Sequence, residues 1–323
     1  MSFEIYKTKY QYCISSKNLL HITKQNFGYV PGYDEFMRSE AETLIQTNDI
    51  LGYKTDAEEN YWINNGCPTI FVEDKDLIND LFIAKYKTSL NAMLAAPFPI
   101  FSFSFPSKTV INGVELPPCL VCLSGEADIY ENMTTPYDEK YLGAEFTPKP
   151  LTNRTFLSIS YRTKDGYLMN KSVIIEEVMD IINDMNEMGD AKCFLYDQSL
   201  NELESKMILT LTKIVAGLLI YHSATEGKGL RKGFPSKTIK LPKQTTRVNY
   251  IGMSLSNCNE YTPKQKGSSN SGGYKILSRE SFFRNLQADR YYQGKFQNEP
   301  KGSRWVYVSG INRDVDEYTQ GKA

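Results

Sequence analysis

Histidine and tryptophan are scarce, two of each in 323 residues, and the six cysteines are widely spaced. With only His21 and His222, a Ser–His or Cys–His hydrolase has little sequence support. Cysteines this dilute do not make a secreted disulfide scaffold. Long apolar runs are missing too. The most apolar stretch, Met207 to Tyr221, is interrupted by Lys213 and falls short of the roughly 20 residues needed to cross a bilayer. The opening Met1-Ser2-Phe3-Glu4-Ile5-Tyr6-Lys7 lacks the apolar core of a signal peptide. These absences predict a soluble cytoplasmic protein with reduced thiols and no membrane contact. The sequons at Asn132, Asn153 and Asn170 then carry no meaning.

The rest of the composition is that of a globular protein with a sizeable core: 41% apolar, 23% charged and 12% aromatic. Glycine (21) and proline (14) are too few for collagen-like or low-complexity structure. The length suits two domains or one large one. A net charge of −1 hides a strong asymmetry. Between Gly227 and Trp305 lie sixteen Lys/Arg and four acids, a charge of +12, leaving −13 for the rest. A basic block of this kind suits a polyanionic partner, and equally an attraction between the two parts of the chain.

Residues 1–35 carry aromatics and turn formers and predict short strands and loops. Helices are expected at 39–51, at 75–96 with the stripe Leu77, Leu81, Phe82, Leu90 and Leu94, at 176–188 and at 199–221. Ser199 and Glu202 have capping-box spacing. Phe101, Phe103 and Phe105 alternate with Ser102 and Ser104, the pattern of a half-buried strand. Segments 119–123, 155–162, 167–175, 246–254 and 304–309 also read as strands, with Asp165-Gly166 as a hairpin turn. Tyr130 to Pro150 and Lys264 to Gly273 read as loops, and 278–292 as a short helix. The fold expected is α+β: mixed helices, a mainly antiparallel sheet and a basic C-terminal α/β subdomain, divided as an acidic 1–225 and a basic, aromatic-rich 226–323. The apolar stripe of 199–221 (Leu200, Leu203, Met207, Leu211, Ile214, Leu218, Leu219) reads as a core helix, with a homo-oligomer seam as the alternative.

Few motifs carry chemistry. Cys119-Leu120-Val121-Cys122 has the spacing of a zinc knuckle, but as a strand it sends its sulfurs to opposite faces, and no metal site is expected. Gly227-Lys228-Gly229-Leu230-Arg231-Lys232-Gly233 follows a helix and runs into Pro235, which excludes both nucleotide fingerprints; it reads as a mobile basic loop. Glu73-Asp74-Lys75 ends a strand-like run. The pattern allows an Mg²⁺-dependent nuclease using Glu73 and Lys75, with a further acid from Asp56, Glu58 or Glu59. The simpler reading places Glu73 and Asp74 in the first turn of the next helix. Glu176, Glu177, Asp180, Asp184 and Glu187 read as a solvated helix face that can also meet the basic block.

The strongest signal is the basic block, where Phe282, Phe283, Tyr291, Tyr292, Phe296, Trp305 and Tyr307 are interleaved with cations. Guanidinium and ammonium groups neutralise phosphates, and aromatic faces stack on bases. The expected anion-binding set is Lys228, Arg231, Lys232, Arg279, Arg284, Arg290, Lys295 and Arg304, with Tyr291, Tyr292 and Trp305 for stacking. Several of the aromatics are expected to form core instead. The partner is a nucleic acid or an acidic protein surface, and no cofactor is expected.

Leu218-Leu219-Ile220-Tyr221, Arg279, Phe283-Arg284 and Trp305-Val306 together resemble elements of uncharacterised accessory proteins encoded by phages and other mobile elements. The likeness covers about a third of the chain. Phe282 stands where that pattern has histidine, and Ser281 where it has glycine. The resemblance implies a non-enzymatic phage accessory protein in the host cytoplasm, including one that inhibits a host defence or nucleic-acid enzyme by direct binding.

Overall fold

The computed structural model of the chain describes residues 2–47, 49–88, 92–125, 155–163, 168–188, 202–235, 250–256 and 282–308. Four helices come first: α1 (Lys9–Ser15), α2 (Lys17–Phe27), α3 (Tyr33–Gln46) and α4 (Ile50–Asn64). The first two replace the strands and loops expected in residues 1–35. Thr8 and Gln11 form a capping box that satisfies the opening amides of α1. Gly28, left-handed at φ 78°, closes α2 by donating its N–H to Lys24 O. The helix expected at 39–51 is two helices, because Asp49 accepts from Gly52 N at 2.8 Å and starts α4 afresh.

The centre is a seven-stranded mixed sheet. In chain order its strands are β1 (Thr69–Val72), β3 (Ile100–Ser104), β6 (Cys119–Gly125), β7 (Thr155–Arg162), β8 (Leu168–Ile174), β9 (Leu230–Lys232) and β10 (Gly252–Leu255). Their spatial order is β8-β7-β6-β3-β1-β10-β9. β1 runs parallel to both β3 and β10, and the other neighbours are antiparallel. The fold is therefore α+β, with a sheet that is mostly antiparallel and parallel at its centre. A short hairpin pairs β4 (Val110–Ile111) with β5 (Val114–Glu115). β2 (Lys85–Lys87), β11 (Phe282–Asn285) and β12 (Trp305–Val308) form a second sheet in the order β12-β11-β2.

Both faces of the main sheet are covered. Phe101, Phe103, Val121, Leu157 and Ile159 face α5 (Lys75–Ile83), α6 (Ile175–Met188) and α7 (Glu202–Ala224) in the main core. Ile100, Leu120 and Cys122 pack with Trp62 and Tyr6 on the other side. All five residues of β3 are buried, so Ser102 and Ser104 do not face solvent as the alternation suggested. Their hydroxyls donate instead to Thr69 Oγ1 (2.9 Å) and Glu4 O (2.6 Å). Cys119 and Cys122 belong to the two different cores, as a strand requires.

Two further expectations are corrected. The helix begun at Lys75 ends at Ile83, because the chain leaves it to pair β2 with β11. Residues 282–285, expected in a helix, are strand β11 for the same reason. Among the described residues, β9 and β10 from the basic 226–323 part complete the main sheet, and β11 holds β2. α7 is long and apolar enough by length and composition to cross a membrane, yet most of it is buried inside the protein. Every residue from Thr210 to Tyr221 is buried, so Leu211, Ile214, Leu218 and Leu219 of the proposed seam pack inside the chain, whereas Leu203 is exposed and Leu200 lies outside the described residues. Tyr130 to Pro150, Asp165-Gly166, Ser199 and Lys264 to Gly273 lie outside the described residues.

Candidate nucleic-acid interface

β11 is the middle strand of the small sheet, and alternation along it sorts the block's aromatic residues. Phe283 points inward, stacked on Tyr86 (5.5 Å between centroids) and against Tyr307 (5.1 Å). Trp305 is also core: it is 2% exposed, and its indole N–H donates to Met93 O at 3.0 Å. The stacking role expected for Trp305 is therefore withdrawn. Arg284 faces outward beside Lys87 of β2, its register partner. Lys87 Nζ lies 4.2 Å from the Phe282 ring centre and covers it.

The chain between β11 and β12 makes two single 3-10 turns, Asp289–Tyr291 and Gly294–Phe296. Tyr292 fixes this excursion. Its hydroxyl donates to Leu286 O (2.7 Å) and accepts from the N–H of Gly302 (2.7 Å) and of Arg304 (3.4 Å). Tyr292 is thus a structural tie rather than a stacking surface. Asn285 adds a buried bond to Gly302 O at 2.6 Å.

Fixed in this way, the excursion brings Arg290 and Arg284 to the Tyr291 phenol and Arg304 to its backbone carbonyl. Arg290 Nη2 donates to the Tyr291 hydroxyl at 3.0 Å, and its guanidinium lies 4.9 Å from that ring's centre. Arg304 donates to Tyr291 O and sits 3.3 Å over the Phe296 ring. The hydrogen bond and charge of Arg290 hold the Tyr291 phenol below its ordinary pKa, and Arg284 adds a smaller contribution of the same sign.

Two of the acids nearby are already engaged. Asp289 pairs with Lys301, and Glu226 accepts from Lys295 at 2.8 Å. That bond, followed by the charges of Lys295, Lys228 and Arg304, holds Glu226 below its ordinary pKa. Glu226 is set there by the turn after α7, in which Glu226 (φ 51°) and Gly227 (φ 72°) are both left-handed. The glycine-rich segment is consequently a turn followed by β9, not the mobile loop expected. Arg231 and Lys232 are exposed on β9, the edge of the main sheet. Arg279 lies outside the described residues, as do Lys237, Lys240, Lys243, Arg247, Lys264, Lys266 and Lys275. Sequence reasoning missed Lys87, whose only signal was the Lys85-Tyr86-Lys87 alternation.

The acids considered for a nuclease sit elsewhere. Glu58 and Glu59 on α4 face inward. Glu59 accepts from Tyr6 Oη (2.7 Å), Lys9 N (2.8 Å) and Arg162 Nη2 (2.7 Å). Glu58 accepts from Ser158 at 3.2 Å on β7. Asp56 is pushed well above its ordinary pKa by burial and then by the charge of Glu59. Glu73 follows β1, three strand spacings from β7 or on the order of 14 Å. Asp74 caps α5 by accepting from Asp76 N and Leu77 N. No group of three or more His, Cys, Asp and Glu arranged to hold a metal ion occurs among the described residues.

A cavity of about 1040 Å³ opens between the N-terminal segment (Phe3, Lys7), the end of β7 (Arg162) and the start of α7 (Leu203, Met207). It lies near the opposite end of α7 from Glu226, on the order of 30 Å away along the helix. No family model matches the chain, and no curated protein or solved structure is detectably similar to it.

Proposed function

We propose that this protein is a non-enzymatic binding protein whose basic face, built on β2, β11 and the excursion to β12, holds the phosphates of a nucleic acid. The observation that carries the reading is the convergence of Arg284, Arg290 and Arg304 at Tyr291 while Asp289 and Glu226 are already paired. Like charges gathered at one place repel, and an anionic ligand relieves that repulsion. Lys87 and Lys228 extend the face. Tyr291 and Phe296 offer ring surfaces beside the cations, a combination suited to a strand that presents both phosphates and bases. An accessory role in a phage-infected cell, as the resemblance implies, is compatible with such binding.

The test is fluorescence anisotropy with labelled single- and double-stranded DNA and RNA at low salt. The full chain should bind, and Arg284→Gln/Arg290→Gln should weaken binding by at least about tenfold. Lys17→Gln/Lys24→Gln on α2 should leave it unchanged. Equal affinity of both variants would exclude this face, and Mg²⁺-dependent cleavage abolished by Glu73→Ala would establish the nuclease instead.

A further inference from the structure

We propose that the arginines around Tyr291 form a seat for a terminal phosphate monoester, so that the protein recognises a nucleic-acid end. This inference rests on the nucleic-acid reading above and narrows it. Arg290 already hydrogen-bonds an oxygen, the Tyr291 hydroxyl at 3.0 Å, where a ligand oxygen can replace it. Arg304 is oriented by Tyr291 O and by the Phe296 ring, so its plane is set before any ligand arrives. Among the described residues, none of Arg284, Arg290 and Arg304 has a carboxylate within ion-pair distance. Asp289 in the same excursion and Glu226 after α7 are instead taken by Lys301 and Lys295, and the remaining acid, Glu299, is exposed.

Three guanidinium groups exceed what one internal phosphodiester needs, with its single charge and two free oxygens. A terminal monoester offers three acceptor oxygens and about −1.5 to −2 charges at neutral pH. Guanidinium forks match such a group in bidentate fashion, which an ammonium does not. This sorting is the one observed, with arginines left at Tyr291 and lysines spent on the neighbouring carboxylates. The partly exposed Tyr291 ring stands beside the seat, where the terminal base can stack.

The experiment compares internally labelled single-stranded 12-mers of one sequence carrying a 5′-phosphate, a 3′-phosphate or hydroxyls at both ends, bound to the full chain. One phosphorylated end should bind at least about fivefold tighter than the hydroxyl form. Arg290→Gln should abolish that preference while leaving measurable binding. The preference should also shrink below about pH 6, where the monoester becomes a monoanion. Equal affinity for all three oligonucleotides would overturn the phosphate seat and leave the interface standing. Binding of none would overturn both. A phosphoserine peptide that binds in a phosphate-dependent way while the oligonucleotides fail would likewise overturn the nucleic-acid end as ligand.

Discussion

Single residues show where charge is tolerated inside this protein and where it is a burden. Lys213, in the middle of α7, is 5% exposed, and its ammonium lies 5.2 Å from the Phe82 ring centre. Burial lowers its pKa from 10.5 to about 8. The cost of keeping it charged in the fold is therefore fully present below about pH 8 and disappears as pH rises towards 10.5. Lys213→Met should raise stability by on the order of 3 kcal/mol at pH 7, with the gain shrinking at pH 9 in urea unfolding. An unchanged midpoint at pH 7 would contradict this. Glu59 is the opposite case, a buried carboxylate with three donors. Glu59→Ala leaves Arg162 without its partner and should cost about 3–5 kcal/mol. The sequence marked Trp305, Tyr292 and Tyr291 alike as aromatic residues among cations. Only the fold separates them, since one is core, one ties a turn and one stays at the surface. Trp305→Ala should therefore lose about 3–5 kcal/mol of stability, whereas Tyr291→Ala should weaken binding with stability nearly unchanged.

At the level of elements, strands and helices with local signals were legible and those made by distant partners were not. β3, β6, β7, β8, β12, α6 and most of α7 follow from periodicity within each segment. β2 and β11 do not, because each is a strand only by virtue of the other, some 200 residues away. In the sequence, therefore, the apolar stripe from Leu77 reads as a helix that runs past Ala84. α4 is hidden for another reason. Its buried positions include Thr55, Asp56, Glu58 and Glu59, so it has a polar inner face that apolar periodicity does not reveal. Of these, Glu58 meets Ser158 and Asn170 of the sheet, and Asn170 also bonds Ser160, a polar layer that explains the buried serines of β7. The junction between α7 and the small sheet is equally specific. A Cβ on Gly217 would lie 2.5 Å from Tyr86 Oη, which donates to Leu81 O at 2.6 Å. Gly217→Ala should cost about 1–3 kcal/mol, and less in a Tyr86→Phe background; equal costs in both backgrounds would show that the clash is not with the hydroxyl.

Across the whole molecule, the charge asymmetry of the sequence is not a division into separately packed parts. The basic C-terminal block supplies two strands of the main sheet, β11, which holds β2, and β12 beside it, so its cations are displayed from a shared core. A fragment ending at residue 225 loses β10 beside the central β1, together with β12 over α7. It should lack a cooperative unfolding transition, and a native-like transition would contradict the shared core. The basic face itself is best tested by the salt dependence of single-strand binding by the full chain. On a strand with hydroxyl ends, where Lys87, Arg284, Arg290 and Arg304 meet separate internal phosphates, log Kd against log salt should have a slope on the order of 3, at about 0.7 per phosphate contacted. Each arginine-to-glutamine substitution at 284, 290 or 304 should lower that slope by about 0.7. A slope near zero, or one that these substitutions leave unchanged, would contradict a phosphate-binding role for this face.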